Sequence, residues 1–169
     1  MRVETTTRNI YTWDELNDEQ QEKAIEKLWD LNVDYDWWDG VYEDAATVGL
    51  TISGFDLGRV MTCDVELDWS GLDVANKILE LHGPNCDTYK SAEKYVARYM
   101  AALIDNVELV PGEEIEVATF MMDDDFRKEL SDDYFHILRD EYDYLTSREA
   151  IIESIESNEY EFDESGSLI

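Results

Sequence analysis

Strict alternation of apolar and polar residues predicts an amphipathic strand near the middle of the chain. The preceding segment, residues 50–57, shifts its apolar phase at Ser53 and Gly54, which indicates a β-bulge, and Gly58 with Arg59 suits a turn. We therefore expect an antiparallel hairpin with one buried face and one acidic face. The apolar positions are Met61, Cys63, Val65, Leu67 and Trp69, and the polar positions between them are Thr62, Asp64, Glu66 and Asp68.

Apolar residues that recur every three or four positions predict helices in most of the remaining chain. The first helix begins after Asn17, with Gln20 three residues later in the arrangement that caps free backbone amides. The region 114–145 is long enough for one helix, or for two that divide at the polar stretch 131–133. A helix over residues 34–48 is expected to end at Gly49, and another is expected to run from Leu72 to the stop at Gly83 and Pro84. A further helix is expected over residues 88–105, and the chain then breaks at Pro111 and Gly112. The last helix is expected to begin after the cap Ser147.

The two ends of the chain carry short aromatic and β-branched segments that predict strands. Residues 8–13 are RNIYTW, and residues 159–169 are EYEFDESGSLI with a glycine turn. The order of strand, two helices, hairpin, several helices and strand does not repeat as βαβ units. It favours an α+β fold in which a small, mostly antiparallel sheet packs against several helices. Because there is no internal repeat and no linker rich in Pro, Gly or Ser, we expect a single acidic domain over residues 1–169.

Neighbouring tryptophans are expected to have different environments. Trp38 and Trp69 fall on apolar stripes and are expected in the core, as is the thiol of Cys63. Trp37 is rotated about 100° around the predicted helix from Trp38, so it is harder to bury on the same face. We therefore predict that Trp37 is an exposed aromatic anchor for a partner.

The overall charge excludes several classes of function. The 169 residues include 42 Asp and Glu against 13 Lys and Arg, for a formal net charge of −29, but 44% hydrophobic and 12% aromatic content indicate a folded domain. Such a surface repels phosphate, so direct binding to nucleic acid or to an anionic membrane surface is not expected. No apolar stretch is long enough to span a membrane, and the first residues lack a secretory signal pattern. We expect a cytosolic protein.

Sequence motifs of enzymes are absent. There is no G-x-S-x-G nucleophile turn, no glycine-rich phosphate loop and no H-E-x-x-H pair. His82 is expected to meet the last carbonyl groups of its helix, and His136 to lie at the surface among carboxylates. Cys63 and Cys86 lack the spacing of a disulfide scaffold or a metal site and are expected to be reduced thiols. We predict no catalytic residue and no cofactor.

Carboxylates are abundant enough that a divalent metal site has to be considered. Asp34, Asp36 and Asp39 before Gly40 depart from the spacing of a calcium loop, and tryptophans stand where ligands belong. The run at residues 123–125 is expected to be a solvated patch at the start of a helix, because adjacent helical residues point in different directions. We predict no metal ion.

The excess of acid calls for an explanation, because self-repulsion opposes compactness. Three explanations are adaptation to a saline cytosol, solubility in general, and a partner whose face is basic because it normally holds nucleic acid. Carboxylates two residues apart on a strand are about 6.6 to 6.8 Å apart, which matches two nucleotide steps of B-DNA and favours the third explanation. The predicted partner-binding residues are Asp64, Glu66 and Asp68 on the strand, Asp123, Asp124, Asp125, Glu129, Asp132, Asp133, Asp140 and Asp143 on the long helix, and Trp37.

Both ends of the sequence resemble a widespread family of acidic, uncharacterised bacteriophage and prophage proteins. Over residues 10–57 the shared marks are D-E-L, a helix with K-A-I, the segment N-V-D-Y-x-W-W and the segment G-L-x-I-x-x-F-D. Over residues 144–166 they are an E-A-I-I-E helix, a Y-x-F strand and a glycine turn. The resemblance implies an origin in a phage or mobile element, which disfavours the saline explanation, and some members carry a loose antitoxin-like label. It implies no catalytic residue.

Small acidic phage proteins include inhibitors of restriction and CRISPR enzymes that imitate DNA, which is an analogy of class and not of motif. The leading hypothesis is therefore a non-enzymatic, phage-encoded inhibitor that blocks the basic nucleic-acid-binding site of a host defence nuclease. One alternative is an antitoxin-like or housekeeping phage protein that binds another basic partner. A third hypothesis is a metal-dependent enzyme that uses some of the carboxylates.

Overall fold

Six α-helices and one two-stranded antiparallel sheet form the regular structure of the described part of the chain. This computed structural model describes residues 2, 7–105 and 113–169, apart from the side chains of 105 and 113–120. The α+β fold class and the small antiparallel sheet expected from the sequence are confirmed. The elements are α1 (Asp18–Lys27), α2 (Asp39–Thr47), β1 (Leu50–Asp56), β2 (Thr62–Leu67), α3 (Gly71–Leu81), α4 (Asp87–Asp105), α5 (Glu113–Leu145) and α6 (Arg148–Ser157).

The chain divides into two compact units. The first unit comprises Met1–Trp37 and Asp140–Ile169, and the second comprises Trp38–Arg139. The expectation of a single domain over residues 1–169 stays a prediction. The predicted break at Pro111 and Gly112 lies outside the described residues. Within the described ranges, no helix has both the length and the apolar character needed to cross a membrane.

The first unit is built around the contact of α1 with α6. Asn17 begins α1 as predicted, because its side chain accepts from the Gln20 amide while the Gln20 side chain accepts from the Asn17 amide. Ser147 caps α6 by accepting from the amide of Ala150. The apolar faces of the two helices meet in a core of Trp13, Leu16, Ala24, Ile151, Ile155 and Phe162.

The prediction of a strand at each end of the chain is wrong. Among the described residues these strands are reduced to two isolated antiparallel bridges, of Phe162 with Tyr11 and with Leu168. Tyr11 and Phe162 exchange backbone hydrogen bonds of 2.9 and 2.8 Å. The first strand cannot continue because Thr12 caps a short 3-10 turn at Trp13–Glu15. The predicted glycine turn is present at Gly166, whose φ is 71°.

The second unit contains the hairpin of β1 and β2, and the hairpin follows the predicted pattern. The strands pair antiparallel, with the bulge between Ile52 and Gly54 where the apolar phase shifts in the sequence. Helix α2 packs on β1 after the chain reverses at Gly49, whose φ is 81°. The inner face of the hairpin buries Leu50, Ile52, Cys63 and Val65, as expected for Cys63.

The alternation of apolar and polar residues in the sequence extends beyond both ends of β2. Met61 is 52% exposed and Trp69 is 47% exposed, so the expectation that Trp69 lies in the core is wrong. Both residues lie outside β2, which ends at Leu67. The Trp69 ring instead rests against Gly49, where an added Cβ atom would overlap it. The glycine therefore serves two purposes, because it permits the positive φ and leaves space for the ring.

Two helices differ from the sequence prediction in their boundaries or faces. Helix α2 begins at Asp39, so the segment 34–38 is not α-helical. The apolar stripe that the sequence predicts for α4 does not include Tyr95; it consists of Tyr89, Ala92, Val96, Tyr99 and Leu103. Helix α4 fully buries Tyr95, because its hydroxyl donates to a carboxylate on α5. The partner lies far away in sequence, so the periodicity of α4 alone does not reveal it.

Helix α5 continues without a break through residues 131–133. Buried residues at a spacing of four continue on both sides of this polar stretch, so packing extends along the helix and overrides the local preference for a break. The buried stripe consists of Phe126, Leu130, Tyr134 and Leu138.

Candidate partner-binding surface

The outer face of the hairpin presents a row of carboxylates. Asp64 and Glu66 alternate along β2 with the buried Cys63 and Val65, and Asp68 follows the end of the strand. All three acids are exposed. Within the described part of the chain, no ion pair includes any of them. Because the opposite face is buried, the register of the strand fixes the direction in which the row points.

Asp68 is held in place although it lies beyond the strand. Its amide donates to the carbonyl oxygen of Gly49 at 3.0 Å. Its carboxylate accepts from the hydroxyl of Thr51, with O···O distances of 2.9 and 3.1 Å. The third position of the row is therefore ordered by a neutral donor, with no cation beside it among the described residues.

A shallow depression brings β2 next to α5. Its volume is about 220 Å³, and Asp64 from the strand and Asp132 from the helix both line it. The two predicted groups of carboxylates thus meet at one point of the second unit. The other residues around the depression are Met61, Thr62, Cys63, Lys128, Ser131 and Phe135.

Ion pairs neutralise two of the predicted acids on α5. Asp124 pairs with Arg127 at 3.0 Å and with Lys128, one turn further along the helix. Glu129 pairs with Lys94 of α4 at 2.8 Å, and Arg98 is 3.8 Å away. Both carboxylates therefore have cations beside them and present less free charge than the row on β2.

Two other acids on α5 take part in packing. Asp123 accepts from the hydroxyl of the buried Tyr95 at 2.5 Å and from the amide of Gly71 at 3.4 Å. Asp133 is partly buried, and burial raises its pKa, with nearby carboxylates adding to the effect and a hydrogen bond from Ser91 opposing it. The run at residues 123–125 lies well inside α5, so the expectation of a patch at the start of a helix is wrong.

The remaining predicted acids are exposed on different units. Asp125 and Asp132 are exposed on the part of α5 that belongs to the second unit. Asp140 and Asp143 are exposed on the part that belongs to the first unit. Within the second unit, the free carboxylates among the predicted residues are therefore those of the β2 row with Asp125 and Asp132.

The prediction that Trp37 is an exposed anchor is wrong. Trp37 is partly buried, and its ring lies 5.7 Å from that of Tyr142 at an angle of 51°. It precedes α2, so the helical rotation used to separate it from Trp38 does not apply. Trp29, in the same unit, is more exposed than Trp37, at 53%.

A partly buried polar network is the feature that sequence reasoning missed. Asp44 is exposed, whereas Thr88 and Tyr134 are buried. Nδ1 of His82 lies 2.8 Å from the hydroxyl of Thr88, and Nε2 lies 3.5 Å from a carboxylate oxygen of Asp44. The hydroxyl of Tyr134 donates to the other oxygen of Asp44 at 3.0 Å. The His82 ring is thus used between helices, whereas the sequence suggested a role at the end of α3. No local motif marks the network, because its members come from four helices or helix ends.

The network does not form a site for nucleophilic catalysis. A hydroxyl, an imidazole and a carboxylate do follow one another, but Thr88 is only 1% exposed and Tyr134 is fully buried. His82 and Tyr134 both lower the pKa of Asp44, with His82 the larger influence and partial burial opposing it. The arrangement favours a charged Asp44 that stabilises the packing of α2 against α3 and α5.

The other side chains considered for catalysis or metal binding are Cys63, Cys86 and His136. Burial, with the neighbouring charge of Asp64, raises the pKa of the Cys63 thiol to about 11, which disfavours the reactive thiolate. Cys86 is exposed, and so is His136, as expected for a surface residue. Within the described part of the chain, no group of three or more His, Cys, Asp and Glu residues is arranged to hold a metal ion.

Comparisons of the chain with protein-family models, with curated proteins and with solved structures found no match.

Proposed function

We propose that the protein is a non-enzymatic inhibitor that places its acidic surface in the basic nucleic-acid-binding site of a host defence nuclease, such as a restriction or CRISPR complex. The resemblance to phage proteins supports a phage origin and action in the cytosol of the host. The protein would act by occupying the site, so the proposal requires no cofactor and no turnover.

The carboxylate row on β2 is the observation that carries this proposal. Asp64, Glu66 and Asp68 are exposed at alternate positions with no ion pair among the described residues to neutralise them. Residues two apart on a strand, such as Asp64 and Glu66 of β2, are spaced about 6.6 to 6.8 Å, which matches the repeat of every second phosphate on one DNA strand. A basic groove that binds phosphates therefore has a complementary surface in this row.

The rigid support of the row also favours binding. The row is fixed by the buried inner face of the hairpin and by the hydrogen bond from Thr51 to Asp68. Side chains that are ordered before binding lose less conformational entropy when a partner docks. Charge complementarity acts mainly on the association rate, so we expect fast binding that weakens steeply with salt.

The proposal is tested by inhibition of DNA cleavage with purified restriction enzymes and CRISPR effector complexes. We expect the protein to inhibit at least one of them at low salt, with competition against duplex DNA. The triple variant Asp64→Asn, Glu66→Gln, Asp68→Asn should associate at least about tenfold more slowly, with a flatter dependence on salt.

The matched control removes the same number of charges from exposed positions of the first unit, with Glu26→Gln, Asp34→Asn and Asp36→Asn. It should inhibit nearly as well as the original protein. The proposal fails if no enzyme in the panel is inhibited, or if the two triple variants lose inhibition equally. Capture of a small basic toxin in place of a nuclease would instead favour the antitoxin-like alternative.

A further inference from the structure

We propose that the tip of the hairpin, formed by Val60 and Met61, is the apolar anchor of the same interface, and that it fits a partner with an apolar patch at the edge of its basic groove. This inference rests on the proposed function and adds a specific contact to it. It assigns to the tip the anchoring role that the sequence suggested for Trp37.

Both side chains of the tip are open to solvent. Val60 is 64% exposed and Met61 is 52% exposed, although both are apolar. The turn that presents them is ordered by Asp56, whose carboxylate accepts from the amides of Gly58 and Arg59 at 2.8 and 2.9 Å. Apolar side chains that are held out on an ordered turn are available for contact with a partner at little entropic cost.

The backbone of Met61 is in a conformation that an ordinary residue avoids. Its φ is 58°, in the left-handed region that favours glycine or asparagine. A bulky residue there is strained relative to the right-handed conformation. Glycine would satisfy the turn better, so folding alone does not explain methionine at this position, whereas a contact made by its side chain does.

The tip adjoins the carboxylate row directly. Met61 and Asp64 line the same depression, and Asp132 lies on its α5 side. A partner drawn in by the carboxylates is therefore brought against the apolar tip in the same encounter. Arg59 gives the tip one positive charge, so the tip cannot extend the acidic array and contributes through its apolar side chains.

Charge complementarity identifies the occupant as a basic partner and disfavours a second copy of the chain. Two copies docked through this surface would bring like carboxylates together, which is unfavourable. A basic groove pairs with Asp64, Glu66 and Asp68, and its apolar edge covers Val60 and Met61. This arrangement combines charged steering with an apolar contact that slows dissociation.

The probes for this proposal are two synthetic peptides with the same number of lysines. In one peptide the lysines alternate with serine throughout, and in the other leucines replace the serines at one end. We expect the full protein to dissociate from the leucine-ended peptide about tenfold more slowly than from the serine peptide, because burying two apolar side chains supplies at least that factor. The tip variant Val60→Ser, Met61→Gly should remove this difference and leave the serine peptide unaffected.

A second apolar surface provides the matched control. Met100 and Ile104 are 55% and 73% exposed on α4, so Met100→Ser with Ile104→Ser removes comparable apolar area elsewhere. This control should retain the slow dissociation. Met61→Gly relieves the positive φ, so the tip variant should unfold at the same urea concentration as the original protein or at a higher one. A weaker interaction would then not be due to unfolding.

The results separate the two proposals. The anchor is overturned if the tip variant keeps the slow dissociation, if the α4 control loses it to the same extent, or if the original protein does not distinguish the peptides. If the variant Asp64→Asn, Glu66→Gln, Asp68→Asn binds the serine peptide as fast as the original protein does, the proposed function fails, and the anchor fails with it.

Discussion

The hydroxyl of Tyr95 donates a hydrogen bond to the carboxylate of Asp123, which also accepts from the backbone amide of Gly71. One carboxylate thereby joins α4 and α5 to the start of α3. The sequence predicts Asp123 as part of a charged array. In the structure it is a packing residue, because its carboxylate lies opposite the buried phenol of Tyr95. The pKa of Tyr95 is raised, chiefly by burial and then by this carboxylate, so the phenol stays protonated and continues to donate.

We predict that Asp123→Ala destabilises the protein by about 1–3 kcal/mol, the cost of leaving a buried donor without its partner. The matched control is Asp125→Ala, two residues along the same helix and exposed, which should change the free energy of unfolding by less than about 0.5 kcal/mol. Urea denaturation followed by circular dichroism measures both changes. Equal effects of the two substitutions would contradict the structural role of Asp123.

We predict that Trp37→Ala lowers stability and leaves the rate of dissociation from a partner unchanged. The ring packs against Tyr142 and is partly buried, so truncation should cost about 2 kcal/mol, less than the about 3–5 kcal/mol of a fully buried tryptophan. Trp29→Ala is the control, because that ring is 53% exposed and its removal should cost far less. Thermal unfolding distinguishes the two variants.

We predict a pH dependence that arises from Asp44. Its pKa is lowered in the folded protein, so the stabilisation is present above the pKa of the unfolded state, about 3.9, and is lost as the pH falls through the lower folded value. Asp44→Asn should therefore be less stable than the original protein at pH 7, and the difference should shrink as the pH approaches 3. Denaturant titrations at the two pH values measure this difference, and a constant difference would refute the prediction.

We predict no binding of the purified protein to duplex DNA in a gel-shift assay at physiological salt. The net charge of −29 leaves no basic stripe to release counterions from phosphates. A retarded band at that salt would be incompatible with a DNA-mimicking surface. A basic nucleic-acid-binding domain, run in parallel on the same duplex, is the positive control.

Local patterns in the sequence predict the hairpin and the helix caps well, because those features depend on neighbours a few residues away. Asn17 and Gln20 cap α1 through their own side chains, and the alternation of β2 reports directly which face is buried. The same alternation misplaces Trp69, since a period of two continues in the sequence after the strand has ended.

The sequence does not predict which acids on α5 are paired with a cation or a buried donor and which are free. Lys94 neutralises Glu129 from 35 residues away, and Tyr95 binds Asp123 from 28 residues away. Such pairings exist only once α4 and α5 have packed together, so the helix by itself looks uniformly acidic. The position of Met61 in the left-handed region is likewise a result of the turn and has no mark in the composition.

Among the residues that the structure describes, the sheet has only two strands, which leaves one edge of each strand unpaired, and such edges are templates for aggregation with other chains. Charged side chains at alternate positions are one of the devices by which natural proteins prevent that pairing. Asp64, Glu66 and Asp68 therefore protect β2 from self-association whether or not a partner is present. A mutation that neutralises them removes this protection, so natural selection for solubility alone would preserve these three positions.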